Sequence, residues 1–257
     1  MSMNTIKEFL SWIRTSPSLM INDHRISPYF PSVNMDSDVT VHSDYDGNPR
    51  LGFLYQELCR RQFDASHEYQ VIVEELQLQQ NNRTIGAIDF ILDNLATEQI
   101  EHWEVAIKFY LLKDGYWYGP NAKDRLDKKL HRMLEHQLMM TRTEAFQALY
   151  PNIDDISQHL LMQGRLYVNP FEKTTVPEYC LGLKINPERV TGFWCYQSQF
   201  ERVTEPLYQL SKPLWATGFN NENKVPVTEL PQHFIHCQSE TGQFWFIVPD
   251  DWPQSSM

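Results

Sequence analysis

Two acids set in otherwise apolar stretches are the residues of this chain best suited to chemistry. Asp89 interrupts Gly86-Ala87-Ile88-Asp89-Phe90-Ile91-Leu92, and Glu104 interrupts Trp103-Glu104-Val105-Ala106-Ile107-Lys108. On strands, side chains alternate between faces, so Asp89 points away from Ile88 and Phe90, and Glu104 away from Trp103 and Val105. If the two strands are neighbours, the carboxylates can meet. With a backbone carbonyl and waters they would supply the hard oxygen ligands that Mg²⁺ prefers, and such an ion activates water and stabilises charge developing on phosphorus. An amine nearby, such as Lys108, would orient the nucleophile. The competing reading of the same acids is the wet face of an antiparallel sheet.

The elements that must position these residues are legible as periodicities. Leu51, Leu54, Tyr55, Leu58 and Cys59 recur at helical spacing, predicting a helix to about Phe63 with Glu57 on its flank. There Glu57 can pair with Arg61 one turn on. Tyr69 to Val73, Glu75 to Gln79 and Thr84 to Leu92 read as strands, with Asn81-Asn82 as the turn of a hairpin. His102 to Leu112 is a further strand, with Trp103, Val105, Ile107 and Phe109 on one side and Glu104, Ala106 and Lys108 on the other. Asn121 is a candidate N-cap for a helix burying Leu126, Leu130, Met133, Leu134 and Leu138. Upstream, Thr5-Ile6-Lys7-Glu8 fits a capping box for a short helix carrying Ile6, Phe9, Leu10 and Ile13. The Pro-, Ser- and Asp-rich run from Ser27 to Pro49 reads as a surface connection. After about Pro151 shorter strands follow: Gly164 to Val168, Tyr179 to Lys184, Val190 to Gln197 and Phe244 to Val248. The predicted organisation is an N-terminal helical arm and connection (1–45), a core (46–150) and a mixed, strand-rich accessory lobe (151–257).

The whole chain sets limits on function. Its 257 residues are 42% apolar and 21% charged, ordinary values for a globular core, and the formal charge of -11 repels polyanions. A nucleic-acid site would therefore be a local basic surface. Asn121 to Arg142 offers one, with six cationic against three acidic side chains, and Arg125 and Lys129 lie one helical turn apart on it. A solvated helix face laced with ion pairs is the plainer reading of most of these charges. The four cysteines are widely spaced without a CxxC, which predicts reduced, mostly buried thiols and argues against a zinc knuckle. No stretch approaches about 18 apolar residues, so a cytoplasmic protein without a membrane partner is expected. GxSxG, GxGxxG and Walker motifs do not occur. The aromatic runs Phe193-Trp194-Cys195-Tyr196 and Phe244-Trp245-Phe246 could stack on bases, but core is the stronger reading.

The helix bearing Glu57, then GAIDFIL, then WEVAIK, then a helix resemble the core of the PD-(D/E)XK nuclease-like superfamily. Over nearly the full length, LSWIRTSPSLM, LGFLYQEL, GAIDFIL, HWEVAIKFYL, WYGPNAKDRLDKKLHRMLEHQL and FWFIVPDDWP closely resemble a bacterial family of uncharacterised proteins, domain of unknown function 1853. The resemblance implies an α/β fold, a restriction-endonuclease-like mixed sheet flanked by helices, with a smaller mixed α+β C-terminal lobe. It implies Asp89 and Glu104 as ligands of Mg²⁺, or of Mn²⁺ in its place, with the Val105 carbonyl as a third ligand. Glu57 would be the helical acid, Lys108 the water-orienting amine, and Gln137 the helical glutamine that assists some members. One departure is plain: the superfamily lysine stands two residues after the glutamate, where this chain has Ala106, and Lys108 comes four residues on. The expected function is metal-dependent hydrolysis of phosphodiesters in DNA or RNA, with Arg125, Lys129 and Gln137 towards nucleic acid. The alternative is a non-catalytic, nuclease-like binding or scaffold protein.

Overall fold

A computed structural model describes residues 3–32, 44–219, 224–230 and 233–254. In chain order its elements are α1 (Met3–Thr15), β1 (Met20–Ile21), α2 (Leu51–Asp64), β2 (Tyr69–Gln80), β3 (Arg83–Asn94), β4 (Gln99–Lys113) and β5 (Tyr116–Tyr118). Then come α3 (Leu126–Arg132), α4 (Glu144–Leu149), β6 (Ser157–Val168), β7 (Tyr179–Cys180), β8 (Leu183–Ile185) and β9 (Val190–Tyr196). The chain ends with β10 (Leu207–Gln209), β11 (Val225–Pro226), β12 (Ile235–Ser239) and β13 (Phe244–Val248). The protein is α/β: among the described residues, ten strands make one mixed sheet in the order β11-β10-β12-β13-β9-β6-β4-β3-β2, with β5 on β4. Parallel pairs β6–β9 and β9–β13 sit among antiparallel ones. A mixed sheet flanked by helices is consistent with the restriction-endonuclease-like architecture. No described helix is long and apolar enough to cross a membrane.

The chain divides into two compact units, Met1–Ile107 with Leu130–Gln163, and Lys108–Lys129 with Gly164–Met257. In the first, α1 buries Ile6, Phe9, Leu10 and Ile13 completely, the stripe its spacing predicts. It begins at Met3, so Thr5 is a buried helical residue rather than the expected cap. α2 spans Leu51–Asp64 as its periodicity predicts, and its Phe63 packs on Phe90 and Trp103, with ring centroids 5.7 Å apart in both cases. This fixes the helix over β3 and β4. Arg14 Nε donates to Gln62 Oε1 at 2.8 Å and ties α1 to α2.

The hairpin turn at Asn81-Asn82 is confirmed, with φ of +51° and +58°, left-handed values that asparagine tolerates best among residues with a Cβ. The two strands expected before it are one, β2, interrupted at Glu75. The helix expected from Asn121 begins only at Leu126. Asn121 Oδ1 instead accepts from Lys123 N at 3.1 Å in a local turn, and a bridge between Tyr118 and Arg125 folds the chain back first. A π-helical stretch, Met133–Gln137, follows α3, with Met133 and Leu134 buried. Residues 33–43 of the expected connection lie outside the described residues.

In the second unit, β6 passes β4 at Gly164, where φ is +146° and a Cβ would lie 1.7 Å from the Lys108 carbonyl oxygen. Only glycine allows that approach. Trp194, Phe246 and Trp245 are buried, as the core reading of the aromatic runs requires. Cys59, Cys195 and Cys237 are buried free thiols, while Cys180 is half-buried.

Candidate cation site

The backbone ladder between β3 and β4 runs from Asn94 opposite Gln99 to Phe90 opposite Trp103. One step further the register sets Asp89 against Glu104, and there side chains take over from backbone partners. Val105 N–H donates to Asp89 Oδ2 at 3.0 Å, and Asp89 N–H donates to Glu104 Oε1 at 3.3 Å. Each acid read from the sequence thus accepts a backbone N–H of the neighbouring strand, Asp89 from Val105 and Glu104 from Asp89. On the other side of Asp89, Glu75 falls between the pairs Glu74–Phe90 and Leu76–Ile88 and has φ of +47°. A left-handed non-glycine residue costs about 1–3 kcal/mol, so β2 is irregular where it passes Asp89.

Glu104 is 1% exposed and His102 is fully buried, with His102 Nε2 3.0 Å from Glu104 Oε1. Burial lowers the His102 pKa to about 4, and the opposing influences of the Asp89 charge and the Leu138 carbonyl do not offset it. The imidazole is thus neutral near pH 7, and its tautomer decides whether Nε2 donates to Glu104 Oε1 or accepts from it. Nδ1 is buried. A neutral histidine would not compensate a charge on Glu104, whereas a divalent cation would. His102 was missed in the sequence reading. The signal available was His-x-Glu on one strand, a spacing that puts both side chains on one face.

The field of Asp89 also reaches α2. Burial raises the Cys59 and Tyr55 pKa values, and the Asp89 charge adds to both shifts. Gln137 Nε2 donates to the Ala87 carbonyl at 2.9 Å, and His136 Nε2 lies 2.9 Å from the Ile85 carbonyl. The helical glutamine thus secures β3 two residues before Asp89, while its Oε1 is buried without a partner.

Other expected members are engaged elsewhere. Glu57 takes Arg60 Nε at 2.8 Å and Arg61 Nε at 2.8 Å. Burial opposes its ionisation, but the two arginines outweigh burial and hold its pKa below the usual carboxylate value. Lys108 Nζ lies 2.7 Å from Asp124 Oδ2, which also accepts from Tyr110 OH at 3.2 Å. Arg125 is paired with Asp127 and stacks 4.3 Å over the Tyr116 ring. Lys129 donates its backbone N–H to the Arg125 carbonyl at 2.9 Å, the first turn of α3.

Among the described residues no three His, Cys, Asp or Glu side chains group to hold a metal. The set at hand is two carboxylates with the Val105 carbonyl. All three donors are hard oxygens, and Mg²⁺ is ordinarily held by one or two carboxylates while keeping several waters. The donors fit Mg²⁺ or Mn²⁺ and do not make a closed zinc site.

A large mixed sheet carrying paired acids on adjacent strands defines the class, an α/β protein with a candidate carboxylate site. The model of the family described as Domain of unknown function (DUF1853) matches residues 31–235, and the chain belongs to that family. No curated protein and no solved structure matches the chain.

Proposed function

We propose that this protein is a metal-dependent phosphodiesterase acting on nucleic acid, with Asp89, Glu104 and the Val105 carbonyl holding Mg²⁺ or Mn²⁺. The observation that supports the reading is the end of the β3–β4 backbone ladder at Phe90–Trp103, beyond which the two carboxylates accept the backbone N–H groups of Val105 and Asp89. When bound, the cation would lower the pKa of a coordinated water and stabilise charge on the phosphoryl oxygens. The chain's own residues do the rest. Val105 N–H orients Asp89, neutral His102 orients Glu104, and Gln137 secures the strand leading to Asp89. Phe63, Phe90 and Trp103 shield the adjoining core from water. Glu57 and Lys108, held in ion pairs, have no assigned step.

The test is incubation of the full chain with labelled single- and double-stranded DNA and RNA, with Mg²⁺, with Mn²⁺ and with chelator. Cleavage should require metal and fall by at least about 100-fold in both Asp89→Asn and Glu104→Gln. Cleavage that survives both substitutions, or no cleavage of any substrate, contradicts the proposal. A second reading, a nuclease-like binding protein without turnover, is favoured by one observation: Ala106 stands two residues after Glu104, and Lys108 is bound by Asp124. Binding without cleavage would support it.

A further inference from the structure

The second unit presents an aromatic and basic surface that the cation site does not use. Asp114 and Gly115, with φ of +49° and +78°, make the tight turn between β4 and β5 and place Tyr116 opposite Lys113. Tyr116 is 48% exposed on strand β5. It is nevertheless braced. Arg125 lies over its ring, Tyr118 meets it edge-on at 6.3 Å, Trp252 meets Tyr118 at 5.9 Å, and buried Trp194 meets Trp252 at 5.0 Å. A row of rings thus runs from core to surface and ends in a ring of fixed orientation. Beside Trp252 opens a cavity of about 290 Å³, lined in part by Pro120, Lys123 and Phe234.

The charge is local and of the opposite sign to the molecule. Lys108–Lys129 carries six cationic and three acidic side chains in a chain of net -11. Three of the six cations are in ion pairs, Lys108 with Asp124, Arg125 with Asp127 and Lys113 with Glu172. Lys123 and Lys128, which flank Arg125 in the chain, are exposed.

We propose that this hairpin and the loop after it bind single-stranded nucleic acid, one unpaired base stacking on the outer face of Tyr116 and phosphates meeting Lys123 and Lys128. Stacking is available to an unpaired base and not to one inside a duplex, and cations beside an exposed ring are the combination that non-specific single-strand binders use. The proposal narrows the substrate class given above, and it is tested without metal so that loss of hydrolysis does not bear on it.

Fluorescence anisotropy with labelled oligo-dT, oligo-U and a duplex of equal length, in chelator and at several salt concentrations, reads the binding. The full chain should bind both single strands more tightly than the duplex. Tyr116→Ala should weaken single-strand binding by roughly 5- to 150-fold, the contribution of one stacked base. Tyr116→Phe should restore it, and Lys123→Glu should flatten the salt dependence. Absence of single-strand binding, preference for the duplex, or unchanged affinity in Tyr116→Ala overturns the proposal.

Discussion

His102 and Glu104 give the site a pH signature. The His102 pKa falls from 6.5 in an unfolded chain to about 4 in the fold. Between those values the unfolded state binds the extra proton, so stability is fully present above about pH 6.5 and is lost as pH falls towards 4. From pH 7 to pH 5 this one group should cost about 2 kcal/mol, at 1.36 kcal/mol per pKa unit. His159 and His236, also lowered by burial, act in the same direction, so the comparison must be with His102→Gln. Denaturant unfolding at both pH values should show the parent losing about 2 kcal/mol more than the variant; equal losses would mean that His102 is not buried as a neutral base. Glu104→Gln tests the other partner. Its amide oxygen can still accept from His102 and Asp89 N–H while the second negative charge disappears. The metal-free variant should be at least as stable as the parent, by about 1 kcal/mol, as when a site trades stability for function. A loss of about 2 kcal/mol or more would instead show that the carboxylate charge is structural.

At the scale of elements, two glycines separate tolerable from intolerable close contacts. A Cβ at Gly86 would lie 2.5 Å from Met140 Sδ, a flexible side chain that can move. At Gly164 it would meet the Lys108 carbonyl oxygen, which cannot. Gly164→Ala should therefore lower stability by about 3 kcal/mol or more, and Gly86→Ala by about 1 kcal/mol, both read by denaturant midpoints. Similar losses would deny the close passage of β6 over β4. α2, the hairpin and β4 were legible because each has one clear periodicity and, at Asn81-Asn82, the right turn residues. The start of α3 was not, because Asn121 suits a local turn as well as a cap and only the Tyr118–Arg125 bridge decides. Nor was the continuity of β2, since a left-handed Glu75 leaves no mark in a hydrophobic pattern. Of the site, alternation put Asp89 and Glu104 on two strands, and those strands are neighbours in the sheet. The pair of Glu57 with Arg61 was legible from i,i+4 spacing, whereas the pair of Lys108 with Asp124 joins residues 16 apart that no spacing rule brings together.

For the whole molecule, an acidic chain places two acids where adjacent strands part and gathers cations on a separate stretch around Arg125. A cation at the first would offset buried negative charge, and the second would attract what the overall charge repels. The most direct measurement is anomalous difference density from crystals of the full chain soaked in Mn²⁺. A peak within coordination distance of both Asp89 and Glu104 oxygens is expected, and it should vanish in Asp89→Asn and in Glu104→Gln crystals. Density with no peak between the two carboxylates would contradict the cation site.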